Sequence, residues 1–391
     1  MVGIVKKTKM PRRHMTADFR RTGGLHCETS ALRKVAGHAG VDVSEEMLLG
    51  VGGGIGFIYW HAKGMPVPFI GGRNKKTQEI LVDAYKRLGG SIKIGRSADG
   101  AKGHEALVKH LAKGEPVVCY GDMAFLPYFA APEGAHFGGH AFVVYGLDEE
   151  RDRVYISDRG RKWITVTTGE LMKARSSKHE PFPPKNALLK INHPKKTPDF
   201  KKAILAGIKE CCAAMLKPPI KNFGLAGMET WEKKLSTWST DFKARRFVEC
   251  LENVFIYIET GGTGGGAFRP MYARFLLEAA AMLKKPRLKE GAVLFEESGR
   301  KWRELACAAL PDNVEPLRWM RQCHLERNRL FEEGPYGNVE TMLKANEALE
   351  ALAPRAVEAL TPSAVVNILQ IMGDKIREIR TIETKAFALM K

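Results

Sequence analysis

Near residue 200 the texture of this 391-residue chain changes. Before that point short apolar runs alternate with glycine and polar turns. After it, apolar residues recur at spacings of three and four over long stretches. The first pattern is that of short strands and helices and the second that of amphipathic helices. We therefore expect an α+β domain over residues 1–195 and an all-α domain over residues 196–391, each of ordinary size.

In the first half, CETSALRKVAGHAG carries Ala31, Leu32 and Val35 at helical spacing, which predicts a helix over about residues 27–37 with Gly40 in the turn beyond. SEEMLL reads as a short helical turn, followed by the glycine run GVGGGIG and the strand GFIYW. KKTQEILVDAYKRLGG and HEALVKHLAKGE read as helices, the latter leading into the strand PVVCYGD. GHAFVVYGLDEERDRVYISD reads as a β-hairpin, RGRKWITV as a further strand, and residues 180–199 as a last strand and a linker. Beyond residue 200, FKKAILAGIKECCAAML, TWEKKLSTWSTDFKARRFVECLENVFIYIE, FRPMYARFLLEAAAML, GRKWRELACAAL, TMLKANEALEALA and SAVVNILQIMGDKIREIRTIETKAFALM all carry the helical pattern.

Composition excludes several classes. The seven cysteines are odd in number and form no CxxC pair, so neither a disulfide framework nor a zinc site is expected. MVGIVKKTKMPRRHMTADFR lacks the apolar core of a secretory signal, and no run of 18 apolar residues occurs, so a cytoplasmic protein without a membrane span is expected. The net charge of +18 would draw an acidic partner. No helix-turn-helix, zinc-finger or RNP motif accompanies it, so nucleic acid is not the expected partner; an acidic carrier protein, a membrane surface or a merely solvated basic face all fit the charge.

Chemistry concentrates at three positions. Cys27 stands where the first helix begins, and a helix N-terminus favours a thiolate. A buried structural thiol is the plain alternative. A nucleophile also needs a base. His140 opens the strand of the hairpin whose partner ends at Asp158, and a turn centred on residue 149 sets the two side by side as a base and its orienter. His26 precedes the Cys on the loop, His136 lies in the approach to His140, and His38, His61, His104 and His110 fall in or near helices without a visible acidic partner.

Secondary candidates for substrate binding are Gly53 and Gly54, Asp122, Tyr128 and Arg269. The two glycines read either as a close approach of backbone to substrate or as a simple tight loop; without a Lys-Ser/Thr pair they are not a P-loop. Asp122 and Tyr128 follow a strand in GDMAFLPYF, where Asp122 either lines the site or caps a turn. Arg269 follows the glycine run GGTGGGAF at a helix start, which would suit an anion or simply be an ordinary helix entry.

LHCETSALRKVAGHAG, SEEMLLGVGGGIGFIYW, GDMAFLPYF and GHAFVVYGLDEERDRVYISD together resemble the N-terminal domain of the butirosin biosynthesis protein H family, and GGTGGGAFRPMYARFLLEAA resembles its helical partner domain. The resemblance implies a papain-like cysteine fold with Cys27, His140 and Asp158 as a triad. It also implies antibiotic biosynthesis by an acyltransferase that moves an aminoacyl chain from a carrier-protein thioester to an aminoglycoside amine. No resident cofactor or metal is expected, only the phosphopantetheine arm that an acidic acyl carrier protein would present. Papain-like peptidases place a Gln several residues before the Cys as an oxyanion donor, and RRTGGLH supplies none. The oxyanion site would then use the Cys27 N–H and a second donor from elsewhere.

The leading expectation is a cysteine-dependent acyltransferase that forms an S-acyl enzyme at Cys27 and passes the acyl group to an amine. A hydrolase or peptidase with the same triad is the nearest rival. A non-catalytic basic binding protein is the rival from a different class.

Overall fold

In the computed structural model, which describes residues 12–73, 75–334 and 337–390, an antiparallel sheet is built by the N-terminal half and helices by the remainder. Residues 1–11 of the segment read for a secretory signal lie outside the described residues. The strands are β1 (Arg13–Met15), β2 (Ile58–Trp60), β3 (Phe69–Gly71), β4 (Ser91–Gly95), β5 (Val117–Gly121), β6 (His140–Asp148), β7 (Arg153–Ser157), β8 (Ile164–Val166) and β9 (Leu188–Asn192). β2 and β3 pair with each other. The rest join one sheet in the order β4-β9-β5-β6-β7-β8, with β1 laid on the far end of β6. β6 is buried along its whole length, which is why it reads as a continuous apolar run rather than an alternating one.

Among the described residues, helices α1 (Cys27–His38), α2 (Glu45–Val51), α3 (Glu79–Arg87), α4 (Gly100–Leu111) and α5 (Thr168–Ser176) accompany the sheet. α1 runs one residue past the expected end, and Gly40 follows it in the left-handed conformation at φ 79°. Ser44 caps α2 through the Met47 N–H. β1, β3, β4 and α5 are absent from the sequence expectation. α5 nonetheless carries a sequence signal, the capping box in which Thr167 and Glu170 bond each other's backbone.

The second half comprises α6 (Phe200–Leu216), α7 (Gly224–Leu235), α8 (Trp238–Asp241), α9 (Arg245–Phe255), α10 (Arg269–Leu283), α11 (Arg287–Ala309), α12 (Glu315–Glu333), α13 (Val339–Ala359) and α14 (Pro362–Met390). The expected run from Thr230 to Glu259 divides into α7, α8 and α9, with Ala244 forced to φ 49° at the last break. Among the described residues no single helix is long and apolar enough to cross a membrane.

β9 ends at Asn192 and α6 starts at Phe200, yet the hydrophobic core does not divide there. One continuous cluster of buried residues runs from Ala31 in α1 to Phe387 in α14. Phe57, ahead of β2, stacks on Trp231 of α7 and meets Trp302 of α11. α2 and α6 cross so closely that a Cβ on Gly207 would lie 2.2 Å from the Gly50 carbonyl oxygen, which requires glycine there.

Candidate active site

The site begins with the loop before α1. The buried Glu45 carboxylate accepts the backbone N–H groups of Leu25 and His26 and the Thr29 hydroxyl, fixing how the chain enters the helix. Burial raises the pKa of Glu45 against the pull of those hydrogen bonds. His26 holds the cap position in an extended conformation, and Cys27 follows as the first helical residue, partly exposed. A second tie joins this loop to the end of the hairpin: the Gly24 N–H donates to the Arg159 carbonyl at 2.8 Å, and the Arg159 guanidinium reaches the Leu25 carbonyl. α1 itself packs against β6. Cys27 and the strand bearing His140 are thereby held together from two directions.

His140 and Asp158 meet at 2.7 Å, Nε2 to Oδ2, and both are buried. The register that joins them differs from a plain hairpin. The pairs nearest the turn are Asp148 with Arg153, Leu147 with Val154 and Gly146 with Tyr155. Continued without interruption, that register would set Asp158 across from Val143 and on the opposite face of the sheet from His140. A β-bulge intervenes: Tyr145 has no partner on β7, and beyond it Val144 pairs with Ile156 and Val143 with Ser157. Asp158 then falls opposite Phe142, whose ring is stacked with that of His140 on the same face. The simple turn centred on residue 149 is therefore corrected to a later turn plus one extra residue.

An ionised carboxylate only accepts hydrogen bonds, so His140 carries its proton on Nε2 toward Asp158 and leaves Nδ1 for the thiol. Burial alone would lower the His140 pKa; the charge and hydrogen bond of Asp158, with those of Cys27, lift it to about 9. Burial would raise Asp158, but the charge and hydrogen bond of His140, helped by Arg159 and Lys34, hold it down to about 2. The other donors to Asp158 are the Tyr128 hydroxyl at 2.9 Å to Oδ2 and the Arg159 N–H at 2.7 Å to Oδ1. Its main-chain carbonyl accepts from Lys34, a buried lysine on the same helix as Cys27. Burial lowers the Lys34 pKa to about 8, against the charges of Asp158 and Glu45.

The structure distributes the secondary candidates differently from the sequence expectation. Tyr128 lies at the site but faces Asp158, so it orients the carboxylate rather than lining a substrate pocket. Asp122 caps the turn after β5, accepting from Ala124, Phe137, His136 and Ser177. Gly53 and Gly54 are packing residues: a Cβ would meet Glu210 at 2.3 Å in the first case and Leu49 at 2.5 Å in the second. Arg269 is fully buried, ion-paired with Glu383 at 2.8 Å and laid over Trp302, which closes it to an external anion. It opens α10 directly after Ala267 and Phe268, both in the left-handed region.

Four residues escaped the sequence reading: Glu28, Arg73, Tyr120 and Lys34. Glu28 is completely buried next to Cys27 in the chain and accepts from the Arg73 guanidinium, the Tyr120 hydroxyl and the Gln78 N–H. A cavity of about 440 Å³ opens on this side, lined by Thr77, Gln78, Arg96, Tyr120 and the Gly138-Gly139 pair that precedes His140. The sequence does contain a signal for one of the four, because Lys34 falls seven residues after Cys27, on the same helical face.

A thiol at the head of a helix, an imidazole at the head of a central strand and a carboxylate just past the neighbouring strand define a protein with a Cys-His-Asp constellation on an antiparallel sheet. Residues 26–159, which contain all three, match the family model described as butirosin biosynthesis protein H, N-terminal. Residues 169–321 match a model described as a domain of unknown function. The chain is a protein of the butirosin biosynthesis protein H type. No curated protein matches it.

Proposed function

We propose that this protein is a cysteine-dependent acyltransferase on a papain-like scaffold, with Cys27 as nucleophile, His140 as general base and acid, and Asp158 as its orienter. The observation that carries the reading is the line from the Cys27 thiol through the His140 ring to the Asp158 carboxylate, with the imidazole proton already directed to Asp158.

The reaction runs in two halves. The Cys27 thiolate attacks the carbonyl carbon of a carrier-protein thioester, a new S–C bond forms, and the carrier's thiolate leaves with the proton from His140. An amine acceptor then attacks the S-acyl enzyme, His140 takes its proton, and the Cys27 thiolate departs. The raised pKa of His140 suits this cycle, since a protonated imidazole beside a thiolate is the state that begins it. The charge of +18 suits docking of an acidic carrier protein. The match of residues 26–159 to the butirosin biosynthesis protein H N-terminal family supports a biosynthetic role.

Incubation with acyl carrier thioesters followed by intact mass measurement tests the proposal. The expected result is a single acyl adduct on Cys27, discharged by an added amine and lost in Cys27→Ala. Peptide cleavage with no adduct from any thioester would overturn the transferase in favour of a hydrolase.

A further inference from the structure

The sequence leaves the acyl-transfer site one oxyanion donor short, and the structure supplies a cation at the right place. Arg73 lies just past β3 with its side chain 19 % exposed, and its guanidinium is flanked by the side chains on either side of the nucleophile. Nη1 donates to Glu28 Oε2 at 2.6 Å and sits 3.4 Å from His26 Nε2.

Each anchor is itself fixed. Glu28 also accepts the Tyr120 hydroxyl at 2.8 Å and the Gln78 N–H, so its carboxylate has no freedom to follow the arginine away. The Thr29 hydroxyl donates to Glu45, and so it accepts from His26 Nδ1. His26 is therefore the Nδ1–H tautomer, and its Nε2 lone pair faces Arg73. Burial, reinforced by the charge of Arg73, keeps that ring neutral by lowering its pKa well below the usual range. The main chain before Arg73 is clamped as well: the Gly72 carbonyl accepts from Gly56 at 2.9 Å and from the buried Arg269 at 3.0 Å. Among the described residues nothing accepts from Arg73 Nε or Nη2, and Gln78 and Tyr120, which hold its carboxylate partner, line the cavity.

We propose that Arg73 is the second oxyanion donor: held beside Cys27 by Glu28 and His26, its guanidinium binds the acyl carbonyl oxygen as that oxygen turns negative. This rests on acylation of Cys27. In the step concerned, the Cys27 Sγ–C bond forms, the carbonyl π electrons move onto oxygen facing Arg73, and their return expels the leaving group. A donor poised for charge that exists only in the transition state lowers the barrier selectively.

Two reactions of Cys27 separate this role from a general effect on the thiol. Acylation by p-nitrophenyl acetate passes through a tetrahedral oxyanion; alkylation by iodoacetamide displaces iodide and makes none. Both rates are read on full-length protein, with Arg73→Met combined with Glu28→Gln so that no carboxylate is left buried and unpaired, and with Arg73→Lys, which keeps the charge. The double variant is expected to acylate about 10²–10³-fold more slowly. Its alkylation should stay within about threefold of wild type, and Arg73→Lys should recover part of the acylation. Equal losses in both reactions, or unchanged acylation, overturn the assignment. Wild-type protein that is alkylated at Cys27 but never acylated by the ester overturns the acyl-enzyme reading itself and this proposal with it.

Discussion

Asp158 is held from four sides, by His140 and Tyr128 on one oxygen, by the Arg159 N–H on the other and by Lys34 on its carbonyl. Such a carboxylate links folding to pH, and the direction follows from the shifts. His140 is raised to about 9, so its contribution to stability is complete below its unfolded pKa of about 6.5 and is lost as pH climbs through 9. Asp158 is lowered to about 2, so its contribution is complete above about pH 4 and is lost as pH falls toward 2. Lys34, lowered to about 8, works in the opposite sense above that pH, because an uncharged amine is cheaper to bury. The difference between wild type and His140→Gln isolates the imidazole. That difference, from urea denaturation, is expected to shrink by about 3 kcal/mol between pH 6 and pH 10. A constant difference over the range would show that the ring does not carry this charge. The nearness of His140 to Asp158 was legible because both belong to one hairpin. Glu28 and Lys34 were not, since charged residues between apolar ones on a helix read as a solvent face. What buries them comes from far along the chain, Arg73 and Tyr120 for the one and Asp158 for the other.

At the scale of the element, the bulge at Tyr145 sets the face on which Asp158 emerges. Alternation and a charged turn were enough to read two paired strands, but a bulge leaves no compositional mark when the extra residue is itself a strand former. Tyr145 packs on Phe19 and near Tyr155, and so looks like any other aromatic of a sheet. Deleting it sets Val144 next to Gly146, so the ladder runs unbroken from Asp148 and Arg153 to Val143 and Ser157, and Asp158 still falls opposite Phe142 on the face of His140. Acylation of Cys27 by the deletion variant is therefore expected to stay within about tenfold of wild type, short of the roughly 10²-fold or more that losing an oriented base costs. Tyr145→Phe keeps both the residue count and the ring, and should react at close to the wild-type rate. If the deletion variant is folded by circular dichroism yet acylates about 10²-fold or more slowly, Tyr145 does more than take up one extra residue in the register.

At the scale of the molecule, periodicity located the change from sheet to helices but could not say what the helices cover. A hydrophobic stripe reports that a face is buried, not against what. Here the answer is the first half of the chain. Phe331 of α12 stacks on Phe129, which in turn lies edge-on to His140, and the Arg159 guanidinium caps the Phe331 ring at 4.8 Å. Asn346 of α13 donates to the Ala130 carbonyl. On the other flank Phe268 meets His26, and Arg269, paired with Glu383, grips Gly72 next to Arg73. The helical half therefore borders the candidate site on both flanks, and one cluster of buried residues runs from Ala31 to Phe387 across both halves. Domains that could fold alone unfold separately, whereas halves of one core unfold together. Calorimetry of the full chain is expected to give one transition whose van't Hoff and calorimetric enthalpies agree. Residues 1–195 expressed alone would leave Phe57 without Trp231 and Trp302, and should lack a cooperative transition. Two resolved transitions, or cooperative unfolding of residues 1–195, would show that the cysteine half is self-sufficient and that the hold of Arg269 on Gly72 is incidental.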